Sequence, residues 1–489
     1  MKKIMIAAPK SGSGKTSVTI ALLKALKENG IKTVSFKCGP DYIDPLFHRE
    51  VLGITSYNLD TFFTSEESTK EIFEEHSKEA EVSVIEGVMG LYDGLGGIRE
   101  EGSSYHLAKV TVTPIILVID AKGMGKSLTA LIKGFLDYDS EKLIKGVILN
   151  RISKGFFETI SPVIEEETGV KVIGFLKERK DLDIPSRHLG LFTPDNLEGT
   201  EKIIENLYNE FCENISLEKI LEIASENGLN KDFVEKYKDT DKQNCEELNS
   251  EEEIRKEKSI DLQNNEEDGT VIKNTGNKCK IAVAKDEAFC FLYEDNLRML
   301  EKYGAEIEFF SPLCDKEIPK DADAILLPGG YPENYLEELC KNETMLKSIK
   351  DVFENKMPTV AECGGFMYLH EGIEDKEKRY FKTVGVVDSK CVFTCKSVRF
   401  GYIVINEKNA SFLPENESIK GHEFHYYDSE KNGDSCTATK PVTGKSYDCI
   451  LTGDFYWLGF PHLYYPSNPE FAKNFVLKAI AYKNKKEKV

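Results

Sequence analysis

No stretch of this 489-residue sequence approaches the run of about 18 apolar residues that a membrane-crossing helix needs, so no span is expected. No secretory core with a cleavage site stands before the first apolar segment, because Met1-Lys-Lys-Ile opens directly into it. A cytoplasmic protein is the expectation. The twelve cysteines contain no C-x-x-C pair, and the nearest two are Cys391 and Cys395, so neither a zinc knuckle nor a disulfide framework is written into them. Positive charge is also short: 64 Lys and Arg stand against 84 Asp and Glu, for a net charge of −20. Nucleic-acid binding needs a basic face, so this charge argues against it, and an acidic substrate must be met by a local basic pocket.

What is present is a globular composition, 40% hydrophobic and 30% charged, in a chain long enough for two or three domains. In the first half, strands alternate with helices. The strands are expected at Lys3–Ala8, Thr33–Lys37, Val82–Ile85, Pro114–Ile119, Gly146–Leu149 and Val170–Gly174. Thr16–Glu28, Ser103–Lys109 and Ser127–Leu136 have helical spacing between them, and this alternation predicts a parallel sheet covered on both faces. The first domain is assigned to residues 1–225. Residues 226–277 are polar, acidic and poor in aromatics, the composition of a linker that cannot offset its own ordering entropy. A second α/β sheet is expected in 278–489, with strands at Cys279–Ala284, Ala305–Phe310, Ala324–Leu327 and Thr359–Cys363 and antiparallel strands between Thr383 and Ile405.

Two motifs carry chemistry. After the first strand comes Pro9-Lys-Ser-Gly-Ser-Gly-Lys-Thr-Ser17 and then a helix, the context of a P-loop, although Pro9 stands where the strict pattern has Gly. Ser11, Gly12, Ser13 and Gly14 would cradle phosphates, Lys15 would reach the β- and γ-phosphates, and Thr16 would sit on Mg2+. At the end of the second strand, Phe36-Lys-Cys-Gly-Pro-Asp-Tyr-Ile-Asp-Pro-Leu-Phe-His48 gathers Lys37, Asp41, Asp44 and His48 around a stiff turn. Asp41 and Asp44 can equally be turn-stabilising. Glu86 ends an apolar strand beside the P-loop and is an expected Mg2+ ligand. Asn150-Arg151 is a plausible base-contacting pair or an ordinary strand end, and Gly125-Lys126-Ser127 resembles a P-loop ending but suits a helix start.

The second motif is Thr359-Val-Ala-Glu-Cys-Gly-Gly365, where a strand stops at Cys363 before a helix, as a nucleophile in a tight turn would. The helix N-terminus is expected to lower the thiol pKa. Leu327-Pro-Gly-Gly-Tyr-Pro-Glu333 supplies another glycine turn, so backbone N–H groups of Gly330 and Gly364 are assigned to oxyanion stabilisation. His462 is the preferred base. His422, Glu423 and His425 read either as a polar network or, more weakly, as a metal cluster.

Together these stretches, with Glu86-Gly-Val-Met-Gly-Leu-Tyr-Asp-Gly, Arg187-His-Leu-Gly-Leu and Gly421-His-Glu-Phe-His-Tyr, resemble the cobyrinic acid a,c-diamide synthase family. The resemblance runs almost end to end, omitting the acidic linker, which is unusual. It implies two open, mostly parallel α/β sheets, a P-loop ATPase domain joined to a class I glutamine amidotransferase (flavodoxin-like) domain. It further implies amidation of the a and c acetates of cobyrinic acid with ATP, Mg2+ and glutamine, through an acyl phosphate. Carried over, Cys363 and His462 are catalytic, and Lys15 and Thr16 hold ATP and Mg2+; the residues themselves add Lys37 at the transferring phosphoryl group and Asn150 as a base contact. Thr16, Asp41 and Glu86 hold Mg2+, and Asp44 orders the tetrapyrrole. Typical triads have a Glu two residues after the His; Tyr464 stands there instead. A Ni-sirohydrochlorin a,c-diamide synthase is the nearest alternative, followed by a nucleotide-switch ATPase and a tetrapyrrole-binding regulator. The sequence leaves a homodimer open.

Overall fold

The computed structural model describes residues 2–178, 194–225 and 278–487. The linker assigned to 226–277 and the Arg187–Leu191 motif lie outside the described residues.

In the first half the strands are β1 (Lys2–Ala7), β2 (Thr33–Cys38), β3 (Ser56–Leu59), β4 (Val82–Glu86), β5 (Ile115–Asp120), β6 (Ile144–Asn150) and β7 (Lys171–Leu176). They form one parallel sheet in the order β3-β2-β4-β1-β5-β6-β7. The central strands are apolar on both faces, as Ile4, Ile6, Ile116 and Val118 are buried on one side and Met5, Ile85, Leu117 and Ile119 on the other. Each such side chain contributes about 1.5–3 kcal/mol by leaving water, and only a sheet covered by helices on both faces can bury all of them. Helix α1 (Lys15–Glu28) covers one face through Val18, Leu22 and Leu26. In an open parallel sheet, ligands collect at the carboxyl ends of the strands, and β1, β2, β4 and β6 all end around the P-loop.

The sequence did not predict β3 or helix α2 (Ile43–Glu50). The first is short and half polar, and the second hides behind the Gly39-Pro40 turn. Gly39 is in the left-handed region at φ 86°, and the Asn58 amide on β3 donates to Gly39 O (2.9 Å) and Asp41 O (2.7 Å), which fixes the turn. The Gly125-Lys126-Ser127 segment is the start of the helix Ser127–Tyr138, and Lys126 is ion-paired with Glu167.

In the second half β8 (Cys279–Ala284), β9 (Ala305–Phe310), β10 (Ala324–Leu327) and β11 (Thr359–Glu362) follow the expected positions. After them come β12 (His370–Glu374), β13 (Tyr380–Lys382), β14 (Val387–Phe393), β15 (Arg399–Glu407), β16 (Ser418–His425), β17 (Tyr427–Ser429), β18 (Cys436–Thr439), β19 (Ser446–Cys449), β20 (Leu451–Thr452), β21 (Tyr456–Gly459) and β22 (His462–Leu463). The main sheet, β20-β21-β11-β10-β8-β9, is parallel except at β20. The region expected to be antiparallel supplies β14 and β15. β15 belongs to the antiparallel sheet β19-β18-β15-β16-β22, whereas β14 pairs parallel with β12 and antiparallel with β17.

The two halves meet on an aromatic cluster: Tyr42, Phe62 and Phe63 from the first, Tyr293, Tyr464, Phe291 and Tyr402 from the second. Polar ties surround it. Tyr402 Oη donates to Asp60 Oδ2 (2.6 Å), Lys420 Nζ to Phe62 O (2.6 Å), Tyr293 Oη to Pro40 O (3.1 Å) and Arg298 Nη2 to Tyr57 Oη (2.7 Å). Among the described residues no helix is long and apolar enough to cross a membrane.

Candidate active sites

Residues 8–14 carry the chain from β1 into α1. Gly12 (φ 74°) and Gly14 (φ 99°) occupy the left-handed region that favours glycine, and a Cβ on Gly14 would run into the Asn150 amide. Asn150, at the end of β6, donates from Nδ2 to Ser13 O (2.9 Å), so it braces the loop. Arg151 adds a bond from Nη2 to Gly12 O (3.0 Å) and is itself held by Asp120 at the end of β5 (2.5 Å). Gly14 caps α1 with no side-chain acceptor, which leaves the helix's first N–H groups for a ligand such as phosphate. Lys15 Nζ donates to Met89 O (2.5 Å) in the opposite loop; burial, then the charge of Lys37, lowers its pKa to about 8.

Beside the loop lies a dense charged cluster. Thr16 Oγ1 donates to Glu86 Oε1 (2.7 Å), and Lys37 Nζ donates to the same oxygen (3.0 Å) and to Asp44. Lys37 and Glu86 are register partners on neighbouring strands. Burial opposes the Lys37 charge, but Asp44, then Glu86 and Asp41, hold its pKa well above the ordinary lysine value. Burial and the Asp44 charge push Glu86 up to about 7. Asp41, partly exposed, accepts from Ile43 N–H (2.9 Å) and lies 3.9 Å from Lys37. Asp44, expected to face substrate, is buried and directed at Lys37.

Mg2+ prefers hard oxygen donors and keeps waters and phosphates among its ligands. Thr16, Glu86 and Asp41 supply such oxygens, and Thr16 Oγ1 and Glu86 Oε1 already meet beside the P-loop (2.7 Å). Among the described residues, no three His, Cys, Asp or Glu side chains form a metal cage. At His422, Glu423 and His425 the structure shows polar contacts. Glu423 accepts from Tyr447 Oη and lies 3.5 Å from Arg399, while His425 Nδ1 pairs with Tyr427 O (2.7 Å).

Cys363 sits one residue beyond β11 at φ 43°, ψ −104°, a strained conformation for a non-glycine residue, and opens the short helix α3 (Gly364–Tyr368). Its N–H donates to Gly459 O (2.8 Å) and its carbonyl accepts from Met367 N (2.8 Å). Gly365 N–H reaches Pro328 O (3.0 Å), tying the elbow to the Gly329-Gly330 turn after β10. A Cβ on Gly364 would come within 3.1 Å of Gly330 N, so the two assigned oxyanion positions are neighbours. A Cβ on Gly329 would overlap the His462 ring, lying 3.0 Å from Nδ1.

The thiol departs from expectation. Burial, and next the Glu333 carboxylate, push the Cys363 pKa above the ordinary value, against a smaller lowering by Gly364 N–H. A helix of five residues offers too little dipole to offset enclosure. His462 is in β22, not in a loop, paired in register with His422, whose ring stacks on it (centroids 4.9 Å, 15° between planes). Tyr42 approaches from the first half, with its ring 5.4 Å away. Burial, then His422 and His425, lower the His462 pKa well below the ordinary value, which keeps the imidazole neutral, and its Nδ1 has no hydrogen-bond partner. Tyr464 donates to Asp295 Oδ2 (3.1 Å) and belongs to the contact between the halves.

Sequence reasoning missed Gly329, Asp120 and Tyr42, whose positions depend on distant partners. It also missed Glu362, which burial raises to about 8 beside Leu463 N–H and Tyr465. A glycine pair was the only available signal, and it was credited to Gly330 alone.

Residues 4–192 match the CobQ/CobB/MinD/ParA nucleotide binding domain, and residues 280–453 match the CobB/CobQ-like glutamine amidotransferase domain. The cobyrinate a,c-diamide synthase of Caldanaerobacter subterraneus subsp. tengcongensis is 37% identical over 98% of this chain and 99% of its own length. Those of Fusobacterium nucleatum subsp. nucleatum (37%; 96% and 99%) and Priestia megaterium (33%; 99% and 98%) are similarly alike. The chain belongs to the cobyrinate a,c-diamide synthase family. As a member with the amidotransferase domain, it is a glutamine-dependent, amide-forming ligase. The first matched stretch spans the seven-stranded sheet and the second begins in β8 of the second half.

Proposed function

We propose that the protein amidates the a and c acetate carboxylates of cobyrinic acid, using ATP, Mg2+ and glutamine. Residues 1–225 act as the ligase domain, 226–277 as a tether and 278–489 as the glutaminase. The observation that supports this reading is the strained Cys363 elbow, whose Gly364 neighbours the Gly329-Gly330 turn that lies against the His462 ring, in one chain with a braced P-loop.

Cys363 attacks the glutamine amide carbon, with neutral His462 taking the thiol proton and returning it to the departing ammonia. Gly330 and Gly364 N–H groups stabilise the oxyanion, and water then cleaves the glutamyl thioester. The raised thiol pKa fits a nucleophile that stays protonated until substrate displaces water and engages the base. At the P-loop, a substrate carboxylate takes the γ-phosphoryl group of ATP, becoming an acyl phosphate that ammonia converts to the amide. Lys15 and Lys37 orient the phosphates and offset their charge, and Thr16, Glu86 and Asp41 would hold Mg2+, which supplies Lewis-acid charge neutralisation when bound. Asn150 holds the loop in its binding shape. Asp44 acts on the tetrapyrrole site by fixing Lys37 and the Asp41 turn.

The test is ADP formation and product mass with cobyrinic acid, ATP, Mg2+ and glutamine, for wild type and Cys363→Ala. Two added amides in wild type, and amidation by the variant with ammonia alone, support the reading. Glutamine hydrolysis without cobyrinate-dependent ADP would reassign the substrate, with Ni-sirohydrochlorin tested next.

A further inference from the structure

Glu86 Oε2 is not the only buried polar atom without a hydrogen-bond partner near the P-loop. His48 Nε2 is another, and the two lie 3.7 Å apart, both side chains wholly enclosed. That gap is longer than a hydrogen bond, and neither atom has another hydrogen-bond partner.

The other side of the imidazole is already fixed. His48 Nδ1 lies 3.1 Å from Ser35 Oγ and 3.4 Å from Ser56 Oγ. Ser35 and Ser56 are register partners on β2 and β3, so the strand pairing brings both hydroxyls to one nitrogen. Ser35 Oγ also reaches Thr55 O (3.4 Å), which leaves the Ser56 hydroxyl as the donor to Nδ1; in that arrangement Nδ1 accepts and the ring proton sits on Nε2, on the Glu86 side. The opposite oxygen, Glu86 Oε1, is already bound by Thr16 and Lys37. The carboxylate is therefore gripped on its P-loop side and faces His48 Nε2 on the other.

We propose that His48 is a positioning residue for Glu86: its Nε2–H binds Oε2 and fixes the carboxylate plane that Glu86 presents to Mg2+. This rests on the nucleotide reading of the P-loop site. Residues that orient a metal-binding carboxylate from behind govern metal affinity almost as strongly as the ligands themselves. His48 touches neither nucleotide nor substrate in this arrangement; its effect passes through Glu86 alone. Lys37 cannot substitute, since its ammonium is committed to Oε1 and Asp44.

The experiment titrates MgCl2 against the full-length chain with ATP present. It reads the half-saturating Mg2+ concentration from the ATP-dependent rise in melting temperature and, separately, from ADP formation. His48→Leu removes the N–H at similar bulk and should raise half-saturation roughly 10–100-fold, with a far smaller change in ATP binding measured in EDTA. His48→Gln restores an N–H and should recover most of the loss. Half-saturation unchanged in His48→Leu, or no recovery in His48→Gln, overturns the proposal. If His48→Leu loses cooperative melting, the Ser35→Ala/Ser56→Ala pair, which keeps the ring but frees its tautomer, decides instead. A raised half-saturation supports the proposal and an unchanged one overturns it. A wild-type chain whose response to ATP is independent of Mg2+ removes the nucleotide reading as well; a normal wild type with silent variants removes only the role of His48.

Discussion

Around the P-loop, Lys37 is paired with Asp44 and Glu86 and lies 3.9 Å from Asp41, a buried balance of opposite charges, and Lys15 beside it is held by Met89 O. Around Cys363 there is no such balance: the nucleophile and His462 are enclosed by glycine turns and aromatic rings, and burial drives both toward their neutral forms. The contrast follows from the ligands. A triphosphate with its cation brings several charges into the site and needs opposite charges prearranged, because reorganising them during reaction is costly. Glutamine's reacting side-chain amide is neutral, so the groups around it need correct geometry and a proton acceptor rather than opposite charges. One half should therefore fail when charge is removed, and the other when shape is altered.

The sharpest break of that comparison is Cys363→Ala. Glutamine-driven amidation should fall by more than about 10^4-fold, while amidation driven by added ammonium chloride persists at a rate set by the P-loop site. Parallel loss of both activities would mean that Cys363 supports the fold of the ligase half as well. The complementary change, Lys15→Ala, should lower kcat/KM for ATP by about 10^2–10^3-fold whichever nitrogen source is used. Modification of Cys363 by a glutamine-like electrophile should continue in that variant. A Lys15→Ala enzyme defective only with glutamine would invert the assignment of the two halves.

How far each site could be seen in advance follows the same division. The P-loop was legible because its phosphate-binding backbone is contiguous, from Pro9 to Thr16. Glu86 was legible because it ends an apolar strand. The supports of that site were not: Asp120 and the Ser35–His48–Ser56 contact come together only through strand order, to which local pattern is blind. At Cys363 the strand-to-helix elbow was visible in Glu362-Cys-Gly-Gly365, but the thiol's environment was not. Its pKa direction depends on enclosure by residues as distant as Glu333, and the helix rule alone gave the wrong sign. His462 was named as the base, yet its place on a strand opposite His422 depends on a two-residue β22 too short to register as a strand.

Shape dependence can be tested at Gly329, where a methyl group would overlap the His462 ring. Gly329→Ala should lower glutamine hydrolysis by about 10^2-fold through displacement of the base. The ammonia-driven rate should change much less. Equal rates for wild type and variant with glutamine would show that the imidazole can shift without loss and that its observed position is not the working one.

The smallest effect is expected where the halves touch. Asp60 is buried at that contact and accepts hydrogen bonds from Tyr402 Oη (2.6 Å) and Phe62 N–H (2.8 Å). Burial outweighs these bonds and pushes its pKa from 3.8 up to about 6. Because the folded value is the higher one, the stability it contributes is fully present below the unfolded value and is lost as pH rises through about 6. Asp60→Asn keeps an acceptor for Tyr402 but cannot ionise, so it should escape that loss. The melting-temperature difference, variant minus wild type, should grow between pH 4 and pH 7, by about 2–4 °C for each kcal/mol involved. A difference that stays flat across this range would mean that Asp60 ionises without penalty, its hydrogen bonds and Lys420 compensating for burial in full. The contact between the halves would then resemble the charge-paired P-loop cluster rather than the buried, neutral site around Cys363.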